Sequence, residues 1–325
     1  MRIVITGISG FAARHFIELL SATAEHNTVA GIYCNNKPAF GEADYPNVTC
    51  SFHQLDLLNA EKVTQLLLQF QPDYILHLAA KSSVADSWLY PSASITDNTG
   101  IFLSLVEALR INRLKCRLLS VGSSEEYGVA NAANGALTEN LCPDPASPYG
   151  AARVMQQRLV EIYSKNYGLD ILHTRSFNHI GPYQNENFVI SSFAKQIAAQ
   201  LKKGVTVIEL TVGDVEVIRD FTDVRDVVKA YYQLMMKGKK GETYNVCSNK
   251  GFVLKHIIEM FAQITGTTII YKINEKNFRP SENKKITGSL DKIKKEIGWQ
   301  PVIPMEKSLK DLLHYWKVKL SAHTS

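Results

Sequence analysis

Short apolar runs alternate with stretches whose apolar residues recur every three or four positions, and this rhythm marks strands followed by helices. Residues 2–6 form an apolar run, and a helical period follows over about 13–20. Further strands are expected at 28–33, in a run ending at 54–57, at 72–80, at 116–122 and at 169–174. Helices are expected at 60–69, from Asp97 or Asn98 to about 110, and from Pro148 to about 167. Residues 129–147 carry the loop signature, and 175–184 are polar and without period, as in a connection between lobes. The second half predicts helices at 188–202, 225–236, 254–265, 291–297 and 308–320, with strands at 205–212, 243–247 and 268–273.

Strand–helix alternation over the first half argues for an α/β fold: a Rossmann-type doubly wound parallel sheet with a smaller α/β substrate lobe. The unit at 225–247 is another helix and strand, so the chain is expected to return to the first lobe there. The expected division is 1–175 plus 217–248 for the Rossmann domain and 176–216 plus 249–325 for the second lobe. In such a sheet the site lies at the carboxyl ends of the strands.

Composition narrows the functional classes. The 325 residues are 45% hydrophobic and 21% charged, as in an ordinary globular protein. A net charge of +5 helps to attract an anionic ligand but is too small to indicate nucleic-acid binding. No run of 18 apolar residues occurs, so no membrane span is expected, and Met1 enters a strand without a signal-peptide layout. The five cysteines are scattered, with no CxxC or Cys/His ligand spacing, so reduced thiols, a cytoplasmic location and no metal site are expected.

Candidate chemistry collects where strands end. Gly7 and Gly10 follow the first strand and precede a helix, the context in which backbone N–H groups at a positive helix end take a pyrophosphate. The spacing is GxxGxA, which a plain glycine turn also fits. The second strand ends in Cys34-Asn35-Asn36-Lys37 without the acid that would hold a ribose 2′-hydroxyl, so NADP is expected over NAD; a solvated turn is the alternative. His77, in the fourth strand, is expected to be a core histidine. Asp97 or Asn98 could serve only as a helix cap. The serines of Ser123-Ser124 end the fifth strand, where one could polarise a carbonyl oxygen or only bind a turn. Asn, His and Arg within 175–184 suit an anion or sugar. Tyr149 and Arg153, four residues apart after Pro148, share one helix face, and a phenol beside a fixed cation passes a proton more easily.

These residues, in this order, resemble the extended short-chain dehydrogenase/reductase family, specifically its nucleotide-sugar branch. The resemblance is carried by Thr6-Gly-x-x-Gly10-Phe11, His77-Leu-Ala-Ala80, Ser123-Ser124-x-x-Tyr127-Gly128 and Ser147-Pro-Tyr149-Gly. Phe177-Asn-His-Ile-Gly-Pro182, Arg219-Asp-Phe-Thr-Asp-Val224, Tyr244-Asn-Val-Cys-Ser248 and Arg279-Pro-Ser-Glu282 narrow it to reductases of GDP-4-dehydro-6-deoxy-D-mannose and the related GDP-mannose 4,6-dehydratases. The resemblance implies a homodimer that reduces the C4 ketone of a GDP-linked 4-keto-6-deoxyhexose with NADPH. It implies Gly7, Gly10, Phe11, Asn35, Asp56, Leu57, Ala79, Ala80 and Asn98 along the cofactor. It implies Ser123 on the sugar C4 oxygen and Tyr149 as proton donor. Ser83, Asn178, Val189, Arg219, Arg279 and Glu282 would hold the substrate.

Two features depart from a simple assignment. Glu125 matches the position where dehydratases place a base, which keeps dehydration open as the alternative. Arg153 stands where the family has lysine, and the exchange changes a point charge into a planar fork. Three consequences follow as alternatives: Arg153 works at reduced rate, it accompanies a changed reaction, or the protein binds dinucleotide and sugar nucleotide without turnover.

Overall fold

A computed structural model describes residues 1–41, 45–128, 135–274 and 283–322. Seven strands form a wholly parallel sheet: β1 Arg2–Thr6, β2 Asn27–Tyr33, β3 Val48–Gln54, β4 Tyr74–His77, β5 Arg117–Val121, β6 Ile171–Ser176 and β10 Thr243–Val246. Their order is β10-β6-β5-β4-β1-β2-β3. The central strands β1, β4 and β5 are buried at nearly every position because both faces of the sheet are covered. In β1 the alternation is visible directly. Ile3 and Ile5 join a core with Phe16 and Ile17 of α1 (Phe11–Ser21) and Val227, Tyr231 and Leu234 of α7 (Val224–Lys237). Val4 points the other way. There it meets Leu66 and Leu67 of α2 (Ala60–Phe70), Phe102 and Leu105 of α4 (Pro91–Ile111) and Val160 of α5 (Pro148–Asn166).

The remaining strands build smaller sheets. β9 (Ile218–Asp223) pairs with β7 (Asn178–Ile180), β11 (Gly251–Val253) and β13 (Lys285–Ile286), and β8 (Val207–Val212) pairs with β12 (Thr268–Ile273). With α6 (Val189–Leu201), α8 (Leu254–Thr265) and α10 (Met305–Ala322) they enclose a separate core of Phe193, Ile208, Phe261, Leu312 and Trp316. Ile293 and Ile297 of α9 (Asp291–Ile297), with Trp299, pack instead into the core of the large sheet. Among the described residues no helix is long and apolar enough to cross a membrane.

Two elements differ from the sequence pattern. The helix expected to begin at Asp97 or Asn98 begins at Pro91, after a short α3 (Val84–Leu89), so neither residue is its cap. Residues 91–96, Pro-Ser-Ala-Ser-Ile-Thr, carry too few apolar positions to show a stripe. The polar stretch 175–184 is not all connection: Arg175 and Ser176 finish β6, and β7 follows.

Candidate active site at the carboxyl ends of the large sheet

β1 lies between β4 and β2, whose connections leave in opposite directions, so a crevice opens beyond the carboxyl end of β1. Gly7 turns the chain there with φ +72°, and a Cβ on it would stand 2.9 Å from the Ala79 nitrogen. Both facts demand glycine. Gly10 then precedes α1 and supplies no side-chain cap, so the first-turn N–H groups of α1 face the crevice without helical partners. Such an end attracts anions.

Thr6 ties the neighbouring turn down. Its Oγ1 accepts the Ala79 N–H at 3.1 Å and is hydrogen-bonded to His77 Nδ1 at 2.8 Å. His77 is buried, as expected of a core histidine; burial above all, then the Arg153 charge, pushes its pKa down to about 3, so the ring stays neutral. Ala79 and Ala80 are half-buried behind it. Asn98 is fully buried; its amide accepts the Lys81 N–H at 2.9 Å and donates to the carbonyls of Lys81 and Ser94. It fixes the loop after β4, while the adjacent Asp97 pairs with Lys81 Nζ.

The β5 end carries Ser123, the cap of a 3-10 turn spanning Ser124–Tyr127. Ser123 Oγ accepts the Glu125 N–H at 3.2 Å, and Glu126 reaches back to the Ser123 N–H at 2.8 Å. This turn packs against the start of α5, where Ser147 Oγ accepts the Gly150 N–H at 3.0 Å and Pro148 occupies the first turn. Tyr149 is buried, and its hydroxyl makes no hydrogen bond to the described residues. The Arg153 guanidinium lies 5.1 Å from the centre of its ring. Arg153 Nη1 donates to the Val121 carbonyl at 3.2 Å and to Gln156 Oε1 at 2.5 Å. Its Nε is buried without a partner among the described residues. Glu125 is half-buried, and its carboxylate makes no hydrogen bond to them.

Other sequence candidates fall around this centre. Asn35 and Lys37 are exposed beyond β2, where Ser9 Oγ donates to the Asn36 carbonyl. Asp56 is exposed and caps the Leu58 N–H at 2.9 Å, whereas Leu57 is buried in the core on the α2 side. Phe11 stacks on His179 at 5.3 Å between ring centres. Ser83 caps α3 through the Asp86 N–H at 3.1 Å. Asn178 is exposed on β7, and Arg219 is on the neighbouring β9, nearly buried, with Nη1 donating to the Ile218 carbonyl at 3.0 Å. Val189 opens α6, half-buried against the smaller core. Arg279 and Glu282 lie outside the described residues.

Arg175 corrects an expectation. It is not offered to an anion: it is buried, its fork takes Gln157 Oε1 at 2.9 and 3.1 Å, and Nε lies 3.5 Å from Glu126. The residues that sequence inspection passed over are Ser120, Glu126, Gln156 and His173, all fully buried. Their signal is a polar residue inside an apolar parallel strand, Ser120 in Arg-Leu-Leu-Ser-Val and His173 in Ile-Leu-His-Thr-Arg-Ser.

The crevice suits a dinucleotide on two observations: an open helix end whose glycine approach excludes a side chain, and a buried guanidinium with an N–H that has no partner among the described residues. Comparison with known proteins agrees with that geometry. The family model for GDP-mannose 4,6 dehydratase matches residues 4–312. GDP-6-deoxy-D-mannose reductase of Pseudomonas aeruginosa is 31% identical over 319 residues, 98% of this chain and 98% of that one. dTDP-glucose 4,6-dehydratase of Haemophilus influenzae is 26% identical over 338 residues, 97% of this chain and 98% of that one. Among solved structures, RMD from Pseudomonas aeruginosa complexed with NADPH superposes with a TM-score of 0.83 at 31% identity, covering 98% of this chain and 99% of that one. UDP-glucose 4-epimerase from Thermotoga maritima, with UDP-glucose, superposes with a TM-score of 0.84 at 26% identity, covering 98% and 100%.

Proposed function

The chain belongs to the GDP-mannose 4,6-dehydratase family, and from that premise we propose that it is an NADPH-dependent reductase of the C4 ketone of a GDP-linked 4-keto-6-deoxyhexose. The observation that carries this reading is the Tyr149 hydroxyl, without a hydrogen bond to the described residues, on a ring beside the buried Arg153 guanidinium. Similarity to a reductase and to an NADPH complex over 98% of the chain supports the choice of reaction and cofactor.

When bound, the reduced nicotinamide supplies a hydride to the C4 carbon. Tyr149 donates its proton to the C4 oxygen, and Ser123 Oγ donates a hydrogen bond to the same oxygen. Arg153 holds positive charge beside the phenol as negative charge develops there. Gly7, Gly10 and the N–H groups of α1 take the pyrophosphate, with Phe11, Ala79, Ala80, Asp56 and Leu57 along its path. Asn98 acts through the Lys81 loop that it fixes. Asn35 and Lys37 hold the 2′-phosphate. Ser83, Asn178, Val189, Arg219, Arg279 and Glu282 hold the sugar nucleotide, the arginines through charge-assisted bonds to phosphate.

We place the cofactor lobe at 1–175 plus 217–248, supported by β10 in the large sheet and α7 against α1, and the sugar-nucleotide lobe at 176–216 plus 249–325. Homodimerisation is supported by exposed apolar residues on the outer helices, Ile95 on α4 and Met155 and Ile162 on α5. Five cysteines, none of them in a disulfide among the described residues, fit a reducing cytoplasm. A second reading, dehydration of GDP-mannose, is favoured by the Glu125 carboxylate, a base candidate that makes no hydrogen bond to the described residues. Tyr149→Phe tests the mechanism: turnover is lost while NADPH binding is retained, and an unaffected rate excludes Tyr149 as the proton donor.

A further inference from the structure

A polar side chain buried inside a sheet costs free energy unless it is hydrogen-bonded. Four such residues behind the site satisfy one another in a single line. Arg153 Nη1 donates to Gln156 Oε1 at 2.5 Å, and Gln156 Nε2 donates to Ser120 Oγ at 2.7 Å. Ser120 Oγ lies 2.9 Å from His173 Nδ1, and His173 Nε2 lies 3.2 Å from Glu126 Oε1. Glu126 Oε1 also accepts the backbone N–H of Ser123 at 2.8 Å. The line therefore runs from one proposed catalytic residue to the other, through α5, β5, β6 and the 3-10 turn.

Its polarity follows from donor counting. An arginine N–H can only donate, so Gln156 presents its oxygen to Arg153 and its amide nitrogen to Ser120. Ser120 accepts that bond and keeps one proton, which it can offer to His173 Nδ1. The imidazole is then the Nε2–H tautomer and donates to the Glu126 carboxylate, which is free to accept from Ser123 as well. Each bond of the line can join a donor to an acceptor. Gly122 passes against the far end: a Cβ there would stand 2.3 Å from both Glu126 Oε1 and His173 Nε2.

We propose that Gln156, Ser120, His173 and Glu126 are positioning residues that hold the Arg153 guanidinium and the Ser123 turn in one fixed relation for the reduction. None of the four is placed on substrate or cofactor; Glu126 acts through Ser123, and Gln156 acts through Arg153. The inference rests on the reductase reading, and its test separates the two. Glu126→Gln keeps one oxygen for the Ser123 and His173 N–H groups and puts an amide N–H where Glu126 Oε2 lies 3.5 Å from Arg175 Nε, setting donor against donor there at near-constant volume.

The experiment measures turnover of the 4-keto sugar nucleotide with NADPH, and NADPH affinity by protein-fluorescence titration, on folded variants of the full chain. Glu126→Gln is expected to lower kcat about tenfold or more, with NADPH affinity within about threefold. In a Ser123→Ala background the same change is expected to cost less than about threefold, because its effect passes through Ser123. Gln156→Leu is expected to weaken NADPH binding about tenfold, and Gln156→Glu, which keeps an acceptor for Arg153 but has no N–H for Ser120, to restore part of that loss. Ser120→Ala, a small truncation, breaks the middle of the line and is expected to impair both readouts. An equal cost of Glu126→Gln with and without Ser123, or Ser120→Ala and Gln156→Leu both within twofold of wild type, overturns the proposal. If wild type turns over no 4-keto sugar, the reductase reading falls, and the NADPH titrations of Gln156→Leu, Gln156→Glu and Ser120→Ala still decide the line.

Discussion

Arg153→Lys is the most informative single substitution, because it installs the residue that the family carries. The expected outcome is loss. Arg153 spreads its charge over a fork, and one arm meets both the Val121 carbonyl at 3.2 Å and Gln156 Oε1 at 2.5 Å while Nε has no partner among the described residues. A lysine ammonium is a compact charge on a flexible stem and does not reproduce the fork. It leaves Gln156 Oε1, fully buried, short of its charged partner. Leaving such an acceptor unpaired costs about 1–3 kcal/mol. With unfolding entropy of about 2.1 cal/mol/K per residue over 325 residues, the melting temperature falls by roughly 1.5–4.5 °C. Catalysis depends on placement more steeply than stability does, so kcat/KM is expected to fall about ten- to a hundredfold. Differential scanning calorimetry and the disappearance of NADPH absorbance with the 4-keto sugar measure the two effects on one preparation. A variant with wild-type melting temperature and a rate at or above wild type would refute the anchoring described here and make Arg153 an impaired substitute for lysine.

Three further outcomes follow from the geometry. Gly7→Ala forces a Cβ to 2.9 Å from the Ala79 nitrogen at φ +72°, so NADPH affinity by titration is expected to drop by about tenfold or more; unchanged binding would place the pyrophosphate elsewhere. His77 is held neutral with its pKa pushed down to about 3, below the ordinary 6.5, so the unfolded chain takes the proton first on acidification. Stability is therefore complete above pH 6.5 and is lost as the pH falls toward 3, about 2 kcal/mol of it by pH 5. Denaturant titrations should show a flatter pH dependence between 5 and 7 in His77→Asn; an unchanged slope would contradict the assignment. Trp316→Ala removes a nearly buried indole bonded to Ser191 Oγ at 3.0 Å and is expected to cost about 3–5 kcal/mol in denaturant unfolding; a cost below about 1 kcal/mol would contradict the description of that core.

What the sequence disclosed was local. The strand at 2–6, Gly7, Gly10 and the following helix are contiguous, and the chemistry of a glycine turn at a helix start needs no distant partner. Tyr149 and Arg153 were legible for the same reason, four residues apart on one helix. Arg175 was misleading because its partners, Gln157 and Glu126, are remote in the chain, and nothing adjacent marks it as internally paired. Asn98 suggested a cap because the first turns of α4 lack a hydrophobic stripe; its real bonds go to Lys81 across a loop. The line from Gln156 through Ser120 and His173 to Glu126 spans three separate stretches of chain, so only the paired strands β5 and β6 bring it together.

The central claim is that this site reduces a ketone at the expense of NADPH. Incubation with a GDP-linked 4-keto-6-deoxyhexose and NADPH, with product identified by mass spectrometry and NMR, tests it most directly. One NADPH consumed per ketone lost, with one hydrogen gained on C4 and one on its oxygen, is the predicted result. Formation of a 4-keto product from GDP-mannose without net NADPH oxidation, and no consumption of the 4-keto sugar, would contradict it.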